Sequence, residues 1–275
     1  MNGEPTAPAE LVDRSWPDVG RPVVLVPVGS TEQHGPHLPL DTDALIASAV
    51  ADVIVKRLRE EGVDAVVAPA VAYGASGEHQ AFPGTASIGV QALTFLLLEL
   101  GRSASEWAER VVFVNGHGGN VESLATSVPV LIDEDRAVAW LPCVPGADPL
   151  GLGVPVDAHA GRSETSILLV LDPDRVRLDR VEPGDRRPIS ELMPLLRERG
   201  VRAVAPNGVL GDPVAASADE GFRLFAAMVE DAWARLRHGL VDGRGCLVAS
   251  GGSAAEPSWD GSPAEPPDPT TGAIS

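Results

Sequence analysis

Four short apolar runs, separated by segments of helical periodicity, restrict this chain more than any other feature. Val23-Val24-Leu25-Val26-Pro27-Val28 is continuous and β-branched rather than alternating, the signature of a strand buried on both faces. Similar runs occupy 65–69, 111–114 and 138–141. Helical patterns fill 43–59, 91–108 and 119–133 between them. Strand and helix in strict alternation predict α/β: a single domain with a mostly parallel central sheet flanked by helices. The segment 164–171 reads equally as a short helix or a strand, and 218–237 as the last helix. We expect an N-terminal arm over 1–20 with a short helix near 9–13, a folded domain over 21–240, and a disordered Gly/Pro-rich tail over 241–275. Truncation after Leu240 is then expected to leave fold and activity intact.

Composition removes several function classes. Thirty-nine acidic residues face 21 basic ones, for a net charge of −18. A field of that sign repels polyanions, so no nucleic acid and no anionic membrane surface is expected as a partner. No run of 18 or more apolar residues suits a membrane span, and Met1-Asn2-Gly3-Glu4-Pro5 lacks the features of a secretory signal, so a cytoplasmic protein is expected. Two well-separated cysteines, Cys143 and Cys246, provide neither a disulfide scaffold nor a cysteine-rich zinc site.

The histidines carry the chemistry. Five of the six, His34, His37, His79, His117 and His159, fall in loop-like segments near predicted strand ends, where open α/β sheets bind ligands. The first cluster, Ser30-Thr31-Glu32-Gln33-His34-Gly35-Pro36-His37, follows the first strand. Glu32 and His34, two apart, point the same way in extended backbone and offer one oxygen and one imidazole nitrogen to a metal. Asp43, at the start of the next helix, either bridges two cations or caps that helix. His37 reads as a group that supports the ligands from behind. The second cluster, Asn115-Gly116-His117-Gly118-Gly119-Asn120, sets a histidine among glycines, open to close approach by a substrate. The third, Asp157-Ala158-His159-Ala160-Gly161-Arg162-Ser163-Glu164, offers His159 as a proton carrier. Glu164 is a ligand, a partner of His159 or a helix-capping group. The glycine-bearing loop 73–85 places Glu78 and His79 as pocket lining and Phe82 as a wall. Arg162 is a candidate for a substrate carboxylate or carbonyl.

No Gly-x-Ser-x-Gly elbow and no His-Glu-x-x-His helix occurs. Mixed oxygen and imidazole donors instead favour water activated by a divalent cation, and hydrolysis of an amide as the reaction class. Such donors suit zinc, iron or manganese.

Together, Glu32-Gln33-His34-Gly35-Pro36-His37 with Asp43, Phe82-Pro83-Gly84-Thr85, Asn115-Gly116-His117-Gly118-Gly119-Asn120 and His159 with Glu164-Thr165-Ser166 resemble the creatininase family, in order and over roughly residues 20–240. The resemblance implies a metal-dependent amidohydrolase of α/β fold holding up to two divalent cations per subunit. Glu32 and His117 are then ligands of one cation, His34 of a second, Asp43 the bridge, and His159 the proton-transfer residue, with Glu164 beside it in the catalytic set. The sequence departs from the family pattern at Gly119, where creatininase itself has a glutamate on the second cation. That site is weaker, vacant, or completed by another group such as Glu164 or water. Gly118 and Pro155 also replace aromatic residues that would wall a creatinine pocket.

The all-glycine turn is similar instead to formamide- and peptide-hydrolysing members. Tyr73-Gly74-Ala75-Ser76-Gly77-Glu78-His79-Gln80, Trp140-Leu141-Pro142-Cys143 and Asp157-Ala158-His159-Ala160-Gly161 resemble the family's mycofactocin-system branch. The implied substrate is the modified mycofactocin precursor peptide, from which the C-terminal Val-Tyr dipeptide is released. The implied cofactor is Fe(2+) and/or Zn(2+), with Mn(2+) also compatible, and the implied assembly a homo-oligomer. The alternative is a deformylase acting on a formylaminopyrimidine ribotide, which requires basic residues around a phosphate; Arg102 and Arg162 are the nearest to the motifs.

Overall fold

The computed structural model describes residues 8–144 and 157–249. Four parallel strands form the sheet in the order β2-β1-β3-β4: β1 (Val23–Val28), β2 (Ala65–Val67), β3 (Arg110–Asn115) and β4 (Val138–Pro142). All six β1 residues are buried, as a continuous apolar run between two helical layers requires. The helices α1 (Thr42–Glu60), α2 (Gly89–Ser105) and α3 (Val121–Asp133) follow β1, β2 and β3 in turn, within a residue or three of the sequence expectation. The helices α4 (Arg162–Leu171), α5 (Ile189–Arg199), α6 (Val201–Val204) and α7 (Ala218–His238) complete the chain.

Two apolar layers sandwich the sheet. On one face Ile46, Val50 and Ile54 of α1, Ile167 and Leu168 of α4, and Leu224 and Met228 of α7 pack on Leu25, Val112 and Leu141. On the other, Leu93 and Leu97 of α2 and Leu124, Val128 and Leu131 of α3 pack on Val24, Val26 and Phe113. Local chemistry fixes the ends of α7. Ser217 accepts the Glu220 N–H at 3.3 Å, and Gly239 closes the helix at φ 73°.

The ambiguous segment at 164–171 is helical. Sequence periodicity overlooked α5 and α6, because Pro194 lies inside α5 and its charged residues dilute the apolar stripe. Leu192, Leu196 and Val201 of this pair form a third cluster with Leu210, against which Phe82 packs.

The expected boundary at 240 needs correction. Cys246 and Leu247 are buried, and the segment lies beside β4: Leu247 N–H donates to the Trp140 carbonyl at 2.8 Å, and Trp140 N–H to Gly245 at 3.1 Å. The indole of Trp140 also donates to the Arg244 carbonyl at 2.8 Å. Leu247 alone removes a full side chain from water, worth about 1.5–3 kcal/mol. Truncation after Leu240 is therefore expected to lower Tm by roughly 5–10 °C, and truncation after Ala249 to leave it unchanged; calorimetry of the two proteins decides. The remaining tail from 250, the first seven residues and the loop 145–156, with Pro155, lie outside the described residues.

Candidate metal centre

Neighbouring strands β1 and β3 deliver the site. From β1 the chain leads to β2 on one side, whereas β3 lies on the other. A crevice opens where successive strands part in this way. The segment after β1 carries Glu32 and His34, and the turn after β3 carries His117. Asn115 and Asn120 brace that turn. Asn115 Nδ2 donates to the His117 carbonyl at 2.8 Å. Asn120 ties the Gly29 carbonyl and the Ala75 N–H, both at 2.9 Å, to the same corner. Sequence reasoning treated these two residues only as parts of the glycine turn.

Asp43 occupies the second position of α1, yet its carboxylate does not cap the helix. Oδ1 lies 3.1 Å from His34 Nε2 and Oδ2 lies 3.2 Å from His117 Nδ1, so the two oxygens divide between the two histidines. Glu32 is entirely buried. Its Oε2 is 3.3 Å from His117 Nε2, and its Oε1 is 3.4 Å from His79 Nε2 and 3.7 Å from His159 Nδ1. Glu164 Oε2 stands 3.9 Å from His34 Nε2 and accepts the Ala160 N–H at 2.6 Å. Three donor triads result: Glu32–Asp43–His117, His34–His159–Glu164 and Glu32–His79–His159.

These residues fit a cation. Both Glu32 oxygens and Asp43 Oδ2 are buried without a hydrogen-bond partner, a costly state for carboxylates that an ion would relieve. Donors about 3.4 Å apart are what an ion with bonds of about 2.1 Å demands in tetrahedral geometry.

The electrostatics agree. Burial alone pulls His34 down, but Asp43, with Glu164 and Glu32, outweighs it and holds the imidazole up at about 10. His117 follows the same logic through Glu32 and Asp43, again to about 10. Burial pushes Glu32 up to about 7 against the pull of His117. Burial also acts to raise Asp43, yet His34 and His117 hold it well below the ordinary carboxylate range. Protons thus occupy the place of cations in the metal-free protein. An ion must displace them, so raising pH favours loading. We expect Kd to fall from pH 6 to 9 with release of about one proton per cation bound, from His117 at one site and His34 at the other, read by calorimetry in buffers of different ionisation enthalpy. A pH-independent Kd would contradict this.

The remaining expected residues divide. His37 is buried and stands outside the triads, with Nε2 2.9 Å from Thr165 Oγ1 on α4; burial lowers it to about 4. His79 and Glu78 lie on a short 3-10 turn, Gly77–His79, at the edge of the cluster. Phe82 turns toward α5 and α6, with the Arg202 guanidinium 5.7 Å above its ring. Gly118 is exposed with open space beside it. Arg162 does not face the cluster: it pairs with Glu220 of α7 at 2.6 Å. Both cysteines are free, and burial raises Cys143, so neither is primed as a nucleophile.

Gly119 has a spatial reason. A Cβ there would lie 2.3 Å from the Ala75 carbonyl oxygen, 2.5 Å from His117 Nε2 and 3.1 Å from Glu78 Oε1. The loop carrying Glu78 thus closes over the position where creatininase carries its glutamate. Gly119→Ala is expected to destabilise the fold by about 1–3 kcal/mol through overpacking and to weaken metal binding by displacing His117. Thermal melts with and without added cation test both.

Comparison with known proteins identifies the family. Residues 12–236 match the creatininase family profile, described as creatinine amidohydrolase. The mycofactocin precursor peptide peptidase of Mycolicibacterium smegmatis is 56% identical over 229 residues, covering 82% of this chain and 89% of that protein. That of Mycobacterium tuberculosis is 52% identical over 233 residues, with the same coverage of 82% and 89%. The creatinine amidohydrolase of Pseudomonas putida is 30% identical over 233 residues, covering 76% and 86%. Among solved structures, one designated "Creatininase Mn" superposes with a TM-score of 0.69 at 27% identity, over 84% of this chain and 98% of that one. By sequence and by fold, the chain belongs to the creatininase family.

Proposed function

We propose that this protein is a metal-dependent peptidase that releases the modified C-terminal Val-Tyr dipeptide from the mycofactocin precursor peptide. The observation that carries the reading is the Glu32–His34–Asp43–His117 cluster with its partnerless carboxylate oxygens, in a chain about half identical to peptidases of that name. Hydrolysis of an amide bond is the reaction class.

Glu32 and His117 would hold one cation and His34 a second, with Asp43 between them through its two oxygens. Glu164, 3.9 Å from His34, supplies the carboxylate that Gly119 lacks. Divalent cations in this donor set bring water toward neutral ionisation and polarise the scissile carbonyl. Iron and zinc are the proposed ions, with manganese also compatible; solved creatininases include Mn and Zn forms. His159 moves the proton. Burial, with His34 and His79, holds it well below its ordinary value, so it rests neutral. It takes the proton of the attacking water and returns it to the departing amine. Glu78, at the edge of the cluster, and the open Gly118 are the proposed border of the peptide's space, whereas Phe82 is taken up by packing against α5 and α6.

The deformylase alternative finds no support in the placement of the basic residues. Arg162 is engaged by Glu220, and Arg102 by Glu99 and Glu134. No helix among the described residues is long and apolar enough to cross a membrane. A cytoplasmic homo-oligomer completes the proposal, its subunit number readable by sedimentation.

The test is mass spectrometry of products after Fe(II)-loaded protein meets the cross-linked precursor peptide. A chelator-sensitive split at the modified C-terminal dipeptide is expected. No cleavage by folded, metal-loaded protein would overturn the reading.

A further inference from the structure

Gln33 lies between the two best-placed ligand residues of the first motif, and its side chain reaches across the site. Its carboxamide is buried and bounded by two backbone groups of fixed polarity. Oε1 accepts the Gly35 N–H at 2.9 Å, and Nε2 donates to the Gly208 carbonyl at 3.0 Å. The reverse orientation would set oxygen against oxygen and N–H against N–H, so the backbone fixes the amide. Gly208 is held at φ 81°, and a Cβ there would collide with the Gln33 amide; the seat requires glycine.

One amide hydrogen remains, and two imidazoles lie within reach: His79 Nδ1 at 2.9 Å and His159 Nε2 at 3.0 Å. His159 Nε2 is also 2.7 Å from the Gln33 backbone carbonyl oxygen. An oxygen that close demands a donor, so His159 carries its hydrogen on Nε2 and cannot accept from the amide. The amide hydrogen therefore goes to His79 Nδ1, and His79 also carries its own hydrogen on Nε2. The two rings are the same tautomer mounted in opposite directions. His159 turns a bare Nδ1 to the site, 3.7 Å from Glu32 Oε1. His79 turns an Nε2–H to it, 3.4 Å from the same oxygen.

We propose that Gln33 is a positioning residue that gives these two histidines opposite duties: its amide and its backbone carbonyl hold both rings in the Nε2–H form, so His159 offers a bare Nδ1 to the site whereas His79 turns an N–H toward it and is excluded as a cation ligand. The duty of His159 rests on the hydrolytic reading above; the tautomers do not. A protonated His159 keeps its Nε2–H on the Gln33 carbonyl, so proton uptake requires no rearrangement.

The test uses the full chain, Zn-loaded and 15N-labelled at histidine, with long-range 1H–15N spectra assigned by His79→Gln and His159→Gln, and no substrate. Wild type is expected to show His79 and His159 both as the Nε2–H tautomer. Gln33→Glu presents an acceptor to His79 Nδ1, so His79 is expected to switch to the Nδ1–H form while His159, held by a backbone carbonyl, stays as it was. Its kcat should fall about 10- to 100-fold with metal retained. An Nδ1–H form of either residue in wild type, or an unmoved His79 in Gln33→Glu, would overturn the proposal. Should that variant fail to fold, the wild-type spectrum decides. Because the spectra need no peptide, failure here is separable from failure of the peptidase reading.

Discussion

Glu32→Ala is expected to yield a folded protein that binds no cation at the Glu32–Asp43–His117 triad and has no measurable turnover. Its carboxylate faces three imidazoles, and neither oxygen has another hydrogen-bond partner. Loss of the ion forfeits several kcal/mol of stabilisation of the attacking water and carbonyl, or about a thousandfold and more in rate. In the metal-free protein that carboxylate is balanced by the protonated His117, so the same change also removes the partner of a buried imidazolium. The metal-free variant should therefore melt below the metal-free wild type, and the wild type alone gains Tm on loading. Metal analysis, melting and product assay read the three effects together. Retained metal with full activity would sink the ligand assignment.

His159→Ala separates proton transfer from metal binding. We expect kcat to fall about 10²- to 10⁴-fold, with KM and metal content nearly unchanged. Nδ1 of His159 faces Glu32, and the residue takes part in two donor triads. Loss of an equivalent of metal in this variant would make His159 a ligand rather than the proton carrier. Stoichiometry by elemental analysis distinguishes the two roles before any kinetics are measured.

Local chemistry made much of the architecture legible. The continuous apolar run of β1 announced a doubly covered strand, and helical periodicity placed the last helix at 218–237, one residue short of α7. Glu32, His34 and His117 could be singled out because each follows a strand closely, and a parallel sheet gathers such residues at one edge. The helix α5 escaped because its proline and charges obscure its period, and residues 241–249 escaped because a glycine-bearing stretch beside a strand has no period to read.

The residue types therefore determined by themselves that this is an α/β protein with a buried oxygen-and-imidazole donor set. Only the tertiary structure decided how those donors are shared. Asp43 divides its oxygens between His34 and His117 instead of capping α1, Arg162 turns to Glu220, and the Glu78 loop fills the space beside Gly119. The Gln33 amide meets His159 across a separation of 126 residues. Periodicity reports the few neighbours along one element. The direction of a buried side chain depends on strand order and on loops from remote sequence, and only the packed molecule brings these together.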